Sequence, residues 1–187
     1  MRIEQDIKLD FKDVLIRPKR STLTSRSEVD ISRDFVFLHS QKTYHGIPII
    51  AANMDATGTF EMARALTRHS LTAALHKHYS EAELLAFFTE QPDNASTFYS
   101  MGITAPDLEK FRRVMDQANG SIQNVCVDVA NGYTNAFVRF IDKLRHACPE
   151  VTIMSGNVVT GEMTEQLILD GVDIVKVGIG PGSVCTT

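Results

Sequence analysis

Six short apolar segments recur along this chain at a nearly constant step, and each is followed by an amphipathic or loop-like stretch. Their ends fall at residues 53, 76, 101, 128, 156 and 178, so successive ends lie 22 to 28 residues apart. A strand and a helix repeated at this step predict a βα series. The predicted strands are 48–52, 71–75, 97–101, 124–128, 151–155 and 174–178.

The stretches between these segments carry helix start and stop signals. Thr104 and Asp107 have the spacing of a capping box, and Asn119-Gly120 supplies a stop for the same helix. The stretch 160–171 begins at a threonine suited to N-capping and ends at a glycine. These signals predict helices in the connections.

The constant step suits a (β/α)8 TIM barrel, in which roughly 250 residues make eight units. A doubly wound sheet shares the repeating unit and is the rival fold, but no G-x-G-x-x-G follows the first strand. We therefore expect residues 46–187 to form barrel units one to six, truncated after the sixth strand. Residues 1–45 have short alternating segments and clustered Ser, Arg and Lys, which predict an irregular extension packing on the barrel.

Composition excludes several classes of protein. The formal net charge of -4 and the pI near 5.8 give no general attraction to nucleic acid or to an anionic membrane. The apolar runs are too short to cross a bilayer and the polar N-terminus lacks a signal peptide, so we expect a cytoplasmic protein. Three cysteines without C-x-x-C spacing argue against a disulfide framework and a zinc site.

Polar side chains follow every predicted strand. The strand ends read NMD, HKHYS, SMGIT, DVANGY, SGNVVT and GPGSVCTT. In a barrel these positions share one mouth, which predicts a site there. Taken singly, each of these motifs also has an ordinary structural interpretation. Asp128 and Asn131 also suit a helix cap or a turn, and HKHYS also suits a solvated loop. Cys126 and Cys148 are expected to be inert thiols.

Cys185 lies on a loop with three glycines, at positions 178, 180 and 182, and with Pro181. Glycine permits close approach of backbone to a ligand, and proline stiffens the turn. A cysteine on such a loop is a candidate nucleophile, and the carbonyls of the loop are candidate ligands for a monovalent cation.

This loop, GIGPGSVCTT, resembles the cysteine loop shared by IMP dehydrogenases and GMP reductases, which are (β/α)8 barrels. The resemblance also covers FKDVLIRP, PIIAANMD, HKHYS, DVANGY and GNVVTGEM. The GMP reductase branch is favoured, because no regulatory CBS pair interrupts the chain and DVANGY replaces the D-S-S-H-G of dehydrogenases. An IMP dehydrogenase without its insert is the alternative within enzymes.

The resemblance implies the reaction and its catalytic residues. Cys185 is expected to attack C2 of GMP, releasing ammonia and giving a thioimidate that accepts hydride from NADPH to form IMP, a step of purine salvage. Thr187 matches a threonine that works with a downstream glutamate. Lys77 matches a lysine near the cofactor.

The resemblance also implies binding residues and assembly. The expected NADPH contacts are Ser25, Arg26, Lys77, Asp128, Val129, Ala130, Ile179 and Gly180, and the expected K+ ligands are backbone carbonyls of Gly180, Gly182 and Cys185. Met101 stands where the family tends to have Ser or Thr. The family also implies a homotetramer.

The position of the cysteine after strand six implies that the chain stops before strands seven and eight, whose loops commonly hold phosphate. We therefore expect the 187 residues alone to be inactive. A half-barrel that serves only as a binding or assembly module is the alternative from another class.

Overall fold

The computed structural model describes residues 7, 9, 11–90 and 96–179. They fall into two compact units, one within the residues up to Ile31 and one spanning Ser32–Ile179. The regular elements described in the first unit are two 3-10 helices, Phe11–Asp13 and Arg26–Glu28. Among the described residues, no helix combines the length and the apolar character needed to cross a membrane.

The described residues of the second unit form an antiparallel hairpin and then six strands that alternate with five helices. The hairpin lies at the end of the segment for which the sequence predicts an irregular extension. All six predicted parallel strands are confirmed, with ends displaced by three residues or fewer. The elements are β1 (Arg33–Val36), β2 (Thr43–Gly46), β3 (Ile50–Ala51), α1 (Phe60–Thr67), β4 (Thr72–Ala73), α2 (Glu81–Glu90), β5 (Phe98–Met101), α3 (Ala105–Ala118), β6 (Asn124–Asp128), α4 (Asn135–Ala147), β7 (Thr152–Val158), α5 (Gly161–Leu169) and β8 (Ile174–Val177).

The strand order identifies the architecture. Strand β3 pairs in parallel with β4, strands β5, β6, β7 and β8 pair in parallel in that order, and a bridge between Ala74 and Phe98 joins the two groups. Six parallel strands therefore follow one another in chain order. A doubly wound sheet reverses its order at a switch point. The fold is thus six consecutive units of a TIM barrel, as predicted.

Local capping fixes where the helices begin and end. Thr104 Oγ1 accepts the Asp107 N–H at 3.3 Å, and Asp107 Oδ2 accepts the Thr104 N–H at 3.2 Å, which confirms the predicted capping box. The helix ends at Asn119, whose φ of 47° is left-handed. Thr160 caps α5 through the Met163 N–H. These caps fix where the loops that connect helices and strands begin and end.

Two apolar clusters hold the second unit together. The larger lies between the helices and the strands. The smaller takes one side chain from each of the six parallel strands or from the residue following it, and so marks the barrel interior; its members are Ile50, Ala74, Phe98, Cys126, Met154 and Ile174. The candidate site lies next to this inner cluster.

Candidate functional site

A polar layer lies beyond the inner cluster, toward the carboxyl ends of the strands. Side chains two residues apart on a strand face the same way. Strands β5 to β8 therefore direct Ser100, Asp128, Gly156 and Lys176 inward, two positions after their members of the inner cluster. A hydroxyl, a carboxylate and an ammonium group thus meet at the mouth of the barrel.

Lys176 links three barrel units at this mouth. Its Nζ atom donates to Asp128 Oδ1 and, at 3.0 Å, to Asn53 Oδ1. The side chains of Lys176 and Asp128 are 25% and 33% exposed, so the ion pair is partly shielded from water. Gly156 leaves room for Lys176, since a Cβ at position 156 would lie 2.6 Å from the Lys176 Cβ. The carboxylate of Asp128 is held in one place.

A polar cavity of about 90 Å³ opens beside this ion pair. The Ser100 residue is only 6% exposed, and no nitrogen or oxygen atom of the described residues hydrogen-bonds its hydroxyl; its neighbour is the Cys126 thiol. Met101, which replaces the expected Ser or Thr, is 2% exposed, and the hydroxyl at this cavity comes from Ser100. The lining residues are Asn53, Lys77, His78, Ser100, Met101 and Asp128.

The loop carrying Lys77 is fixed by its neighbours. The Tyr79 ring stacks between Phe60 and His76, with centroid distances of 3.7 and 4.0 Å. Lys110 Nζ donates to the Tyr79 carbonyl and, at 3.4 Å, to the Lys77 carbonyl. The backbone at Lys77 is therefore anchored while its side chain is exposed at the cavity.

The segment after Asp128 is hydrogen-bonded to the backbone at the carboxyl end of β7. Val129 donates to the Gly156 carbonyl and accepts from the Asn157 N–H, each at 3.0 Å. The Gly132 N–H donates to the Asn157 carbonyl at 3.0 Å, and a Cβ at Gly132 would lie 2.7 Å from that oxygen. Only glycine permits this approach. The Oδ1 atom of Asn157 is buried and lacks a hydrogen-bond partner among the described residues.

Tyr133 attaches the same segment to the start of α5. Its hydroxyl oxygen accepts the N–H groups of Val159 and Thr160, at 2.9 and 3.0 Å, at the start of α5. Burial opposes ionisation, but the hydrogen bonds from Thr160 and Val159 lower the pKa of Tyr133 below its ordinary value. Asn131 Oδ1 accepts the Tyr133 N–H at 2.9 Å, which is the turn-forming role considered for Asn131.

The predicted site residues fall into three groups. Lys77 and Asp128 line one cavity, and Val129 and Ala130 lie on the adjoining loop. Ile179 is half-buried just beyond β8. Ser25 and Arg26 are exposed in the first unit, and Gly180, Gly182, Cys185 and Thr187 lie outside the described residues.

Sequence reasoning missed Lys176. Its signal is a charged residue inside the apolar strand DIVKVG, two positions after inward-facing Ile174. A buried charge needs a partner, so this pattern indicates an inward ammonium paired with a carboxylate. Within the described ranges, no group of three or more His, Cys, Asp or Glu side chains is arranged to hold a metal ion.

The two described cysteines have the environments expected of inert thiols. Cys126 is 0% exposed, and burial raises the pKa of its thiol to about 11, although the Lys176 ammonium opposes this rise. Partial burial also raises the pKa of Cys148. Neither position favours a thiolate.

We expect Cys126 to resist a thiol reagent in the folded chain. At pH 8, a thiol of such pKa is ionised on the order of 0.1%, and its burial blocks access. Labelling with an aromatic disulfide followed by peptide mass analysis should modify Cys126 only after urea unfolding. Labelling of folded Cys126 as fast as half-buried Cys148 would contradict this assignment.

Residues 8–187 match the sequence model of the IMP dehydrogenase / GMP reductase domain. The chain belongs to this family. It is 57% identical to a GMP reductase of Klebsiella pneumoniae subsp. pneumoniae and 56% identical to one of Escherichia coli O81, covering 100% of this chain and 54% of each relative. The chain thus spans about half the length of these relatives.

A solved structure agrees with the fold. The crystal structure of inosine 5' monophosphate dehydrogenase from Legionella pneumophila aligns with a TM-score of 0.78 at 30% identity. The alignment covers 96% of this chain and 53% of that one. Family membership and TIM-barrel architecture are therefore both established.

Proposed function

We propose that this chain is the cysteine-bearing part of a GMP reductase, which converts GMP to IMP and ammonia with NADPH. The observation that carries the proposal is the 57% identity to a GMP reductase over the whole chain. The Legionella pneumophila dehydrogenase is similar at only 30% identity, so the reductase branch is favoured over the dehydrogenase alternative.

The proposed reaction uses Cys185 as a nucleophile. Its thiolate adds to C2 of GMP, and the C2 amino group leaves as ammonia, with proton transfer assisted by Thr187 and a downstream glutamate. The product of this half is a thioimidate on the purine. Bound NADPH would supply a hydride to C2, and departure of the Cys185 thiolate would then give IMP.

The polar cavity fits the carboxamide end of a nicotinamide. Ser100 Oγ, which lines this cavity, is a buried polar atom without a nitrogen or oxygen partner among the described residues. Such an atom is costly to bury unless a ligand or water satisfies it. A carboxamide offers both a donor and an acceptor, so it complements this hydroxyl group.

The roles of this chain's own residues follow from their contacts. Lys176, which also donates to Asn53 Oδ1, holds the Asp128 carboxylate, and Lys77 presents an exposed ammonium group at the cavity. Lys77 and the 128–130 segment are proposed to bind the nicotinamide end, with Ile179 and Gly180 beside them. Ser25 and Arg26 are proposed to bind the cofactor phosphate, because a guanidinium fork suits that group.

The remaining parts of the proposal rest on the resemblance. Backbone carbonyls of Gly180, Gly182 and Cys185 are proposed to bind K+. The complete enzyme is proposed to be a homotetramer, with residues 1–45 as an extension and residues 46–187 as six barrel units.

The test joins residues 1–187 to the C-terminal segment of the Klebsiella pneumoniae relative, giving a protein that we call the completed barrel. We expect it to oxidise NADPH only when GMP is added and to release IMP. Reduced-nicotinamide absorbance and chromatography of the nucleotides measure both. The 187-residue chain alone should remain at background in the same assay.

Three results would contradict the proposal. Oxidation of IMP with NAD in place of GMP reduction would support the dehydrogenase alternative. Clean turnover by a monomer of the 187-residue chain would mean that the site needs no further barrel units. Absence of both reactions from a folded completed barrel would favour the binding-module alternative.

A further inference from the structure

The loop of residues 76–80, here called the cavity loop, contributes two of the residues that line the polar cavity. Its first residue is held by neighbouring backbone, since the His76 N–H donates to the Gly58 carbonyl at 2.8 Å. Its last residue, Ser80, donates its hydroxyl group to Glu83 Oε2 at 2.6 Å, in the first turn of α2. These two contacts fix the ends of the cavity loop but not its middle.

The middle of the cavity loop is held by Lys110, which comes from the following barrel unit. Lys110 lies on α3, 33 residues after Lys77, and its side chain is half-buried. Its Nζ atom donates to the Lys77 carbonyl at 3.4 Å and to the Tyr79 carbonyl. An ammonium group has three donors and no acceptor, so one lysine can serve two carbonyls, and a charged donor forms the stronger hydrogen bond.

We propose that Lys110 is a positioning residue for the cofactor, because it fixes the backbone from which the Lys77 ammonium group reaches the cavity. The inference rests on the proposed function, in which Lys77 binds the nicotinamide end of NADPH. A lysine ammonium is carried on a flexible four-carbon stem, so its direction depends on the backbone at its base. Displacement of a binding group by about 1 Å can cost about 10²-fold in function.

Arg113 separates this role from simple packing of α3 against α2. It lies three residues after Lys110, and residues at this spacing share one face of a helix. Its Nε atom donates to both carboxylate oxygens of Glu81, the first residue of α2, each at 3.0 Å. In the described structure, the Arg113 guanidinium contacts Glu81 and Glu109 and no carbonyl of the cavity loop. Arg113→Met is therefore the matched control.

The binding test uses the completed barrel with NADPH and without GMP, so that no turnover occurs. Lys110→Met keeps the aliphatic stem and removes all three donors, and it should weaken NADPH binding about tenfold or more. Lys110→Arg retains charged donors and should bind within about threefold of the unsubstituted protein. Arg113→Met removes an exposed ion pair and should stay within about twofold. The fluorescence of the reduced nicotinamide reports each affinity.

A double-mutant cycle shows whether Lys110 acts through Lys77. In a Lys77→Met background, Lys110→Met should change NADPH affinity by no more than about twofold, because the ammonium group that it places is absent. A general loss of structure would weaken binding equally in both backgrounds. Hydrogen exchange without cofactor gives a second measurement: Lys110→Met should speed exchange at the amides of residues 77–80 and leave those of α3 unchanged.

Three results would overturn the inference while leaving the proposed function intact. One is NADPH binding by Lys110→Met as tight as that of the unsubstituted protein. Another is an equal loss of affinity in Arg113→Met. The third is an equal loss from Lys110→Met with and without the Lys77 ammonium group. If the unsubstituted completed barrel binds no NADPH, the proposed function is wrong and the inference falls with it.

Discussion

Cys185→Ala in the completed barrel should reduce IMP formation to background, a loss of at least about 10⁴-fold. The loss is large because the thiolate is proposed to form the bond to C2, and alanine has no atom that replaces it. GMP-dependent NADPH oxidation and IMP formation are measured with saturating substrates. Binding of GMP, measured by calorimetry, should survive the substitution, because the nucleophile contributes chiefly to the chemical step.

Cys126→Ala is the matched control for this experiment. The Cys126 side chain belongs to the inner cluster and is fully buried, so its loss should cost about 1 kcal/mol of unfolding free energy. Turnover should remain within a few-fold of the unsubstituted protein. If Cys185→Ala retains turnover near that of the unsubstituted protein, the covalent mechanism is wrong, whatever the result for Cys126→Ala.

The features predicted correctly from sequence are those with local causes. The capping box at Thr104 and Asp107 needs only residues three apart, and the stop at Asn119-Gly120 needs only neighbouring backbone. The strand positions follow from short apolar runs between polar segments. The order of the strands was also predictable, because a repeated βα unit leaves few arrangements once the doubly wound sheet is disfavoured.

The features that escaped prediction depend on contacts between distant residues. Lys176 lies 123 residues from Asn53 and 48 from Asp128, so the local pattern around Lys176 does not identify these two partners. The three meet only because parallel strands bring their carboxyl ends together. Strand β7 extends three residues beyond its predicted end because residues 156–158 pair with β8 through an irregular register. A register of this kind is set by the neighbouring strand and has no signature in β7 itself.

The structural role of Asp173 was not predicted from the sequence either. Its carboxylate is 0% exposed at the start of β8 and connects the hairpin to two barrel units. Oδ1 accepts the N–H groups of His39 and Ser40, at 2.9 and 3.2 Å. Oδ2 accepts Arg145 Nη2 at 2.7 Å and the Ile153 N–H at 3.1 Å. The Arg145 side chain is only 13% exposed.

Asp173→Ala should therefore lower the unfolding free energy by about 4 kcal/mol, the largest stability loss that we expect from a single substitution. Removing the carboxylate leaves Arg145 shielded from water without its charged partner, and it leaves three N–H groups without their acceptor. Urea unfolding of residues 1–187, followed by circular dichroism, measures the change. Asp173→Asn keeps one acceptor oxygen and should lose less.

Asp142→Ala is the matched control, because Asp142 lies on α4 and is 58% exposed, and its one ion pair within the described residues is with the exposed His146, one helical turn away. An exposed pair of this kind contributes little, so its loss should change the unfolding free energy by no more than about 0.5 kcal/mol. If Asp173→Ala costs no more than this control, the carboxylate does not hold the hairpin to the barrel. If Asp173→Ala lowers the unfolding free energy strongly but the amides of β1 and β2 still exchange slowly, the loss is assigned to Arg145 and the barrel units instead. A large loss accompanied by faster exchange at β1 and β2 is the expected result, because Oδ1 binds only the hairpin side.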